Sequence, residues 1–452
     1  MSNTLVFGAL PCNEVLGFAR APQLDYGAPE TTPGVLGAIL VESGATAAIW
    51  APRLYFPDDF LTATQGSYAL ACAAADVGLK RLVLISTMQL FSRIPQNWHL
   101  GTNWRPRPGR GAPTLFPFLT ELSVQEVARA TGLRVTVLRL GDVSREEAAE
   151  AVRQSLNDTK SWVVRHVGDA PGRPETDGGK PWREILGPVE PIASREAIRK
   201  VVILGAGGPI GRTVADALKD HYTLRLADIA PLAEAKPQDP KAPIARPLPA
   251  PHEEVHLDVR QLRSVTDACK DCDAIINLTV VRQDFAGAFA VNALGAWNVG
   301  QAAAIMGIRR VVHTGPQLIT LHGESDFLYD YHLASDTPTR PGRHLYGHSK
   351  FLGNEAMRVL AEWYDLEVPN LMFNGFAQPD AVSQGGCSAM MLTWQDAARA
   401  IKCALEAPSL PSPYEEFHCV ADFPHDQCHT DKAQRLLGWK PHDTLEGLWR
   451  RP

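Results

Sequence analysis

No apolar run in the 452-residue chain approaches the roughly 18–20 residues that span a bilayer, which excludes a transmembrane helix from the reading. Met1–Leu10 lacks a basic start followed by a long apolar stretch, so no secretory leader is expected and the expected location is cytoplasmic. The eight cysteines are scattered and form no disulfide framework. Cys269-x-x-Cys272 has no second CxxC or His pair to complete a four-ligand zinc site, so no metal is expected. Basic residues are dispersed and the net charge is −6, which speaks against a nucleic-acid partner. What is there, 45% hydrophobic and 21% charged residues, is the composition of a globular protein long enough for two domains.

Residues 171–196 hold five prolines and four glycines among few apolar side chains, which is linker composition. The expected organisation is therefore 1–170, a linker 171–196, and 197–452. Pro231–Pro251 contains seven prolines and reads as a loop within the second domain. The two halves repeat one another. Gly66–Arg81 (GSYALACAAADVGLKR) and Gly295–Arg310 (GAWNVGQAAAIMGIRR) are offset by 229 residues with six of sixteen positions identical, and each leads into an apolar strand, LVLIS or VVHTG. SREEAAEAVRQSL from Ser144 matches TWQDAARAIKCAL from Thr393 in the same order. Two copies of one α/β unit account for this pattern.

Arg199–Gly211 reads RKVVILGAGGPIG: a buried β-branched run, glycines at Gly205, Gly208 and Gly211, then a helical pattern. Glycines in such a turn let the backbone approach a pyrophosphate, whose charge sits at the helix N-terminus, here Pro209 and Ile210. The next strand, YTLRLAD, ends in Asp228, where a carboxylate accepts hydrogen bonds from a ribose 2′-OH and repels a 2′-phosphate; NAD is thereby favoured over NADP. HLDVR places Asp258 and Val259 at the end of a third strand, within reach of an adenine amino group, and DAIINLTVV places Leu278 and Thr279 at the end of a fourth. The alternation predicts a doubly wound parallel sheet with its ligand at the C-terminal strand ends.

Tyr346 and Lys350 lie one helical turn apart in RHLYGHSKFLGNEAMRVLAEWY. An ammonium beside a phenol lowers its pKa, so the phenolate serves as general base while the lysine also reaches the nicotinamide ribose. These residues, with Asp258 and the closing LLGWKP of Leu436–Pro441, resemble the extended short-chain dehydrogenase/reductase superfamily of epimerases, dehydratases and sugar dehydrogenases. Through LRLADIAPL, LYGHSKFLGNE, MLTW and LLGWKPHDTLEG the second half is most similar to its uronate dehydrogenase branch. The resemblance implies an α/β fold of two tandem Rossmann-like units, NAD as cofactor and a small-molecule substrate. The 106 residues after Tyr346 leave a small capping region, which suits a free sugar better than a nucleotide sugar.

Two positions depart from that pattern. Pro316 stands where the family has a catalytic Ser or Thr, leaving Thr314 or Gln317 to polarise the substrate oxygen; and the arginine that grips a uronate carboxylate aligns near Ala389, with no Arg between Met372 and Thr393. A neutral sugar, a polyol or another secondary alcohol is as good a candidate as a uronate. The first copy is degenerate: its glycine loop keeps Gly8, the YxxxK site becomes Phe116 and Thr120, and Thr87 remains at the Ser/Thr position. It reads as a domain without its own nucleotide. The expected activity is NAD-dependent oxidation of a secondary alcohol of a small sugar-like or polyol substrate; an epimerase or dehydratase with tightly held NAD and a non-catalytic NAD-binding scaffold are the alternatives. The helices Gly66–Val77 and Phe118–Thr131 of the first copy, with Gly295–Met306 and Gly347–Tyr364 of the second, are expected to pack as an intramolecular pseudo-dimer, with further homo-oligomerisation open.

Overall fold

The computed structural model describes residues 3–176, 178–180, 185, 197–236, 242–320, 332–382, 390–424 and 426–450. Much of the 171–196 segment and the position of Ala389 lie outside them. Short runs rich in Val, Ile and Leu form two parallel sheets whose central strands are buried, as crossover helices on both faces require, while the edge strands Ala19–Arg20 and Glu253–His256 are largely exposed. The first sheet has the order β2-β1-β3-β4-β5-β6, from β1 (Thr4–Gly8), β2 (Ala19–Arg20), β3 (Ala47–Ala51), β4 (Arg81–Thr87), β5 (Val135–Leu140) and β6 (Trp162–Val167). The second has the order β15-β12-β11-β10-β7-β8-β9, from β7 (Lys200–Leu204), β8 (Thr223–Asp228), β9 (Glu253–His256), β10 (Ala274–Asn277), β11 (Arg310–Pro316), β12 (Val368–Phe373) and β15 (Tyr414–His418). A parallel ribbon, β13 (Gly375–Ala377) with β14 (Met391–Thr393), completes the described strands. Every pairing is parallel, so the α/β class with two Rossmann-type sheets expected from sequence is what the chain forms.

The strand orders correspond if β9 is set aside: β2-β1-β3-β4-β5-β6 follows the same path as β8-β7-β10-β11-β12-β15. The correspondence extends to detail. A π-helical turn precedes the helix before β4, at Thr62–Gly66, and another precedes the helix before β11, at Ala288–Leu294. The helices Ala112–Thr131 and Leu345–Tyr364 each have 20 residues. Matched end to end they set Pro113 and Pro117 opposite Tyr346 and Lys350, whereas the sequence repeat sets Phe116 and Thr120 there. The ungapped offset that holds through β4 and β11 shifts by four residues in the loops that follow.

The chain divides into two compact units: Met1–Pro188 with Gln283–Ala290 and Gly342–Val359, and Val189–Arg282 with Val291–Pro341 and Leu360–Pro452. In the first, the segment 342–359 is bound tightly. Tyr68 donates its hydroxyl to the Arg343 carbonyl at 2.6 Å and packs against Phe285, Phe289 and His348. Arg343 pairs with Asp76, Arg105 with Glu355, and the Arg358 guanidinium lies over Phe118. His348 is fully buried. Its Nδ1 donates to the Gly342 carbonyl at 2.8 Å, which leaves Nε2 to accept from the Ser123 hydroxyl at 2.8 Å. Desolvation lowers its pKa to about 4, so the ring is neutral.

Within the same unit Glu121 and Arg139, both nearly inaccessible, form a bidentate pair at 3.0 and 2.7 Å, and the Ser86 hydroxyl donates to Glu121 at 2.5 Å. The core of the second unit packs β7, β8, β10 and β12 against the helices Pro209–Leu218 and Trp394–Glu406, with Trp439 closing it. The closing segment LLGWKPHD has a structural task there. Buried Asp396 pairs with Arg399 and accepts the amides of His442 and Asp443, while the Trp439 indole donates to the Asp396 carbonyl at 3.1 Å.

Candidate active site

The glycine loop between β7 and the helix Pro209–Leu218 is built from close approaches. Gly205 holds φ +83°, and a Cβ there would lie 2.9 Å from the Leu278 carbonyl carbon and the Thr279 amide. A Cβ on Gly211 would meet the Ala206 backbone at 2.7 Å, so the helix can sit against the turn only with glycine there. Gly208 is the N-cap with no side-chain partner and Pro209 opens the helix. The amides of Ile210 and Gly211 therefore head a ten-residue helix, the arrangement that receives a pyrophosphate.

Asp228, at the end of β8, is held by that loop. Its carboxylate accepts from the amides of Gly207 at 2.7 Å and Ile229 at 2.8 Å, and a Cβ on Gly207 would sit 2.8 Å from its Oδ2. Gly207 is thus a site residue that the GxxGxxG spacing passes over: the motif leaves its position unspecified, and only the meeting of two strand ends requires a glycine. Leu278 and Thr279 come to the same place, with the Thr279 hydroxyl donating to Asn277 at 2.8 Å.

Asp258 is less open than its sequence position suggests. Arg260 engages both carboxylate oxygens at 2.8 and 2.9 Å and Gln261 adds a bond at 3.0 Å; these partners, Arg260 foremost, hold its pKa below the usual carboxylate range. Val259 is buried above Gly295, and its carbonyl accepts from Asn298 at 3.0 Å. Asn292 clasps the Val281 backbone on both sides, at 3.0 and 2.7 Å. These asparagines, carried on VNALGAWN, fix the ends of the third and fourth strands, and a buried amide in an otherwise apolar helix was the signal for them.

Thr314 lies in β11, nearly inaccessible, with its hydroxyl donating to the Asn277 carbonyl of β10 at 2.9 Å. Gln317, just past the strand end, is fully buried and faces the Cys428 thiol. Tyr346 is half-buried and Lys350 is 3% exposed, one turn apart at the start of the helix Leu345–Tyr364. These two belong to the first unit, through its segment Gly342–Val359, whereas the glycine loop, Asp228 and Thr314 belong to the second. Cys269 and Cys272 are buried free thiols, both pushed up in pKa by desolvation.

With this geometry in view, residues 201–384 match the NAD dependent epimerase/dehydratase family. A curated relative, the NAD-dependent glucose-6-phosphate dehydrogenase of Haloferax volcanii, is 26% identical over 267 residues, spanning 55% of this chain and 96% of its own. Among solved structures, a mutated uronate dehydrogenase is 27% identical with a TM-score of 0.45, covering 55% of this chain and 84% of its own. Glucuronic acid dehydrogenase from Chromohalobacter salexigens is 25% identical with a TM-score of 0.47, covering 55% and 86%. The family's description names NAD dependence, and so does the name of the Haloferax relative. The residues fit the group: a Cβ on Gly205, Gly207 or Gly211 would strike Leu278–Thr279, Asp228 or Ala206, so glycines let the turn close tightly under the head of the helix, whose N-cap Gly208 has no side-chain partner. Among the described residues no helix is long and apolar enough to cross a membrane.

Proposed function

We propose that the protein oxidises a secondary alcohol of a small sugar-like or polyol substrate, with Tyr346 as general base. The observation that carries this reading is the burial of Lys350 one turn from Tyr346. An ammonium one turn from a phenol favours the phenolate by direct charge, which suits Tyr346 to accept a hydroxyl proton. Bound NAD supplies the electron acceptor. Gly205, Gly208, Pro209, Ile210 and Gly211 would hold its pyrophosphate, Asp228 its adenosine ribose, Val259, Leu278 and Thr279 the walls of its site, and Lys350 its second ribose. Asp258 takes part through its pairing with Arg260 rather than as a free acceptor. Thr314 is the residue assigned to orient the substrate oxygen; its hydroxyl donates to the Asn277 carbonyl at 2.9 Å. A phosphorylated sugar is supported by the Haloferax relative's printed activity.

In the same proposal residues 1–170 are a degenerate copy of 197–452, joined by 171–196, which binds no nucleotide and acts as an internal dimer partner. The inclusion of Gly342–Val359 in the first unit supports that role. The test is a screen of purified protein and NAD against free sugars, sugar phosphates, uronates and nucleotide sugars. Net NADH formation is expected with a free or phosphorylated sugar; product isomerisation without NADH would replace the reading with an epimerase. Tyr346→Phe should lower turnover by roughly 10²–10⁴ with NAD still bound. Near-normal turnover in that variant would remove Tyr346 from the chemistry.

A further inference from the structure

Strands β11 and β15 run parallel in one sheet, so the loops that follow them leave from the same edge, the edge at which doubly wound folds hold ligands. Those two loops pair. Leu333 and Cys428 form a parallel bridge, with Leu333 donating to the Gln427 carbonyl at 2.8 Å and His429 to the Leu333 carbonyl at 2.9 Å. Leu333, Met390, Val420 and Cys428 form a small apolar cluster, against which Leu318 packs.

This pairing gathers three side chains that are 94 to 97 residues apart or three apart along the chain: His332, Asp426 and His429. His332 Nδ1 lies 3.0 Å from His429 Nε2 and 3.3 Å from Asp426 Oδ2, and the third side of the triangle is 3.6 Å. Ligand atoms held tetrahedrally at about 2.0–2.1 Å from one ion are about 3.3–3.4 Å from each other. A hydrogen bond between the two imidazoles would use one proton and leave the Asp426 oxygen facing two ring nitrogens without a donor from either, whereas one cation satisfies all three lone pairs at once. The Asp431 carboxylate lies 3.7 Å from His429 Nδ1, behind the ring, where acidic groups orient metal-bound imidazoles. His332 and Asp426 both adopt left-handed backbone, φ 59° and 47°, an uncommon conformation for residues other than glycine.

We propose that His332, Asp426 and His429 bind a divalent ion of the Zn²⁺ type, clamping the loop after β11 to the loop after β15 and leaving a fourth position open to water. Two imidazole nitrogens and one carboxylate select such an ion over Mg²⁺ or Ca²⁺, which take oxygen shells. The side chains of His332 and Asp426 are 68% and 59% exposed, which gives the ion an entry path.

Calorimetric titration of Zn²⁺ into the full chain, after dialysis against chelator, tests this directly. One ion per chain is expected, with affinity at least tenfold weaker in His332→Asn and His429→Gln, and with the one-to-one event absent in the double variant. Asn keeps the left-handed backbone of position 332 accessible. Thermal denaturation should show Zn²⁺ raising the Tm of the wild type and not of the double variant, the metal-free Tm values being equal. Absence of wild-type binding, equal binding by wild type and double variant, or the same response to Mg²⁺ would overturn the assignment.

Discussion

Gly8 and Gly205 each follow the first strand of a parallel sheet, and each takes a left-handed φ, +85° and +83°. Each also backs onto the end of a neighbouring strand, Ala51 in one case and Leu278–Thr279 in the other. Beyond this turn the two sheets part. After Gly205 comes a ten-residue helix and a strand ending in Asp228; after Gly8 comes a four-residue helix, Asn13–Leu16, and a two-residue strand ending in Arg20. Thr87 accepts the Gln89 amide with its hydroxyl oxygen, and Ser86 of β4 and Arg139 of β5 both bond to buried Glu121. The backbone turn that starts the fold is thus separable from the groups that hold a ligand. Strand order depends on the first and survives without the second.

The strongest test of this division lies in the first sheet. Removing one member of a buried, hydrogen-bonded pair leaves a charge without compensation, so Glu121→Ala should cost about 3–5 kcal/mol in chemical denaturation. NAD stoichiometry should stay at one per chain in the folded fraction. Two NAD per wild-type chain would erase the contrast between the sheets.

Acid titration sharpens it next. His348 in the first unit and His418 in the second are both held neutral by burial, with pKa values of about 4 against about 6.5 when unfolded. Because the folded value is the lower, the unfolded chain binds the extra proton. Their contribution is therefore complete above about pH 6.5 and is lost as pH falls toward 4, by up to about 3 kcal/mol each. Denaturation midpoints between pH 7 and 4 should drop steeply, and His348→Gln should remove about half of that slope. An unchanged slope would mean that the first unit does not titrate as a folded body.

Glycine substitutions separate structure from binding at closer range. Gly8→Ala places a Cβ 2.2 Å from the Ala51 carbonyl oxygen at positive φ, and should cost about 1–3 kcal/mol of stability with NAD affinity intact. Gly207→Ala, pressed against Asp228, should instead weaken NAD at least tenfold with a smaller loss of stability. The opposite ranking in paired calorimetry and denaturation would break the comparison. Asp228→Ala should have the smallest effect, a relaxation of discrimination against NADP of roughly tenfold, about 1.4 kcal/mol; a wild-type preference for NADP would sink the role given to Asp228.

Local order carried much of this in the sequence. The strand–glycine–helix run around Gly205, the strand end at Asp228 and the Tyr346/Lys350 turn are contiguous patterns, and periodicity together with turn chemistry reveals them. What stayed hidden was non-local. Gly207 matters because another strand end arrives beside it. The pairing of Asp258 with Arg260, two residues on, is short-range, and charge alone could have suggested it. No local pattern near Gln283 or Gly342 marks membership of the first unit, since the partners Tyr68, Asp76 and Ser123 lie more than 200 residues upstream; only the repeat, which sets Gly66–Val77 and Phe118–Thr131 beside Gly347–Tyr364, points that way.

That membership bears on how the protein is made. Residues 1–188 leave the ribosome well before Gly342–Val359, the segment that covers Tyr68 and Ser123. At about 5–20 residues per second, the stretch from 189 to 359 takes on the order of 10–30 s to appear. Throughout that interval the nascent N-terminal sheet presents an unfilled helical groove, a natural client surface for a chaperone and the point at which interrupted translation would leave the chain prone to aggregate.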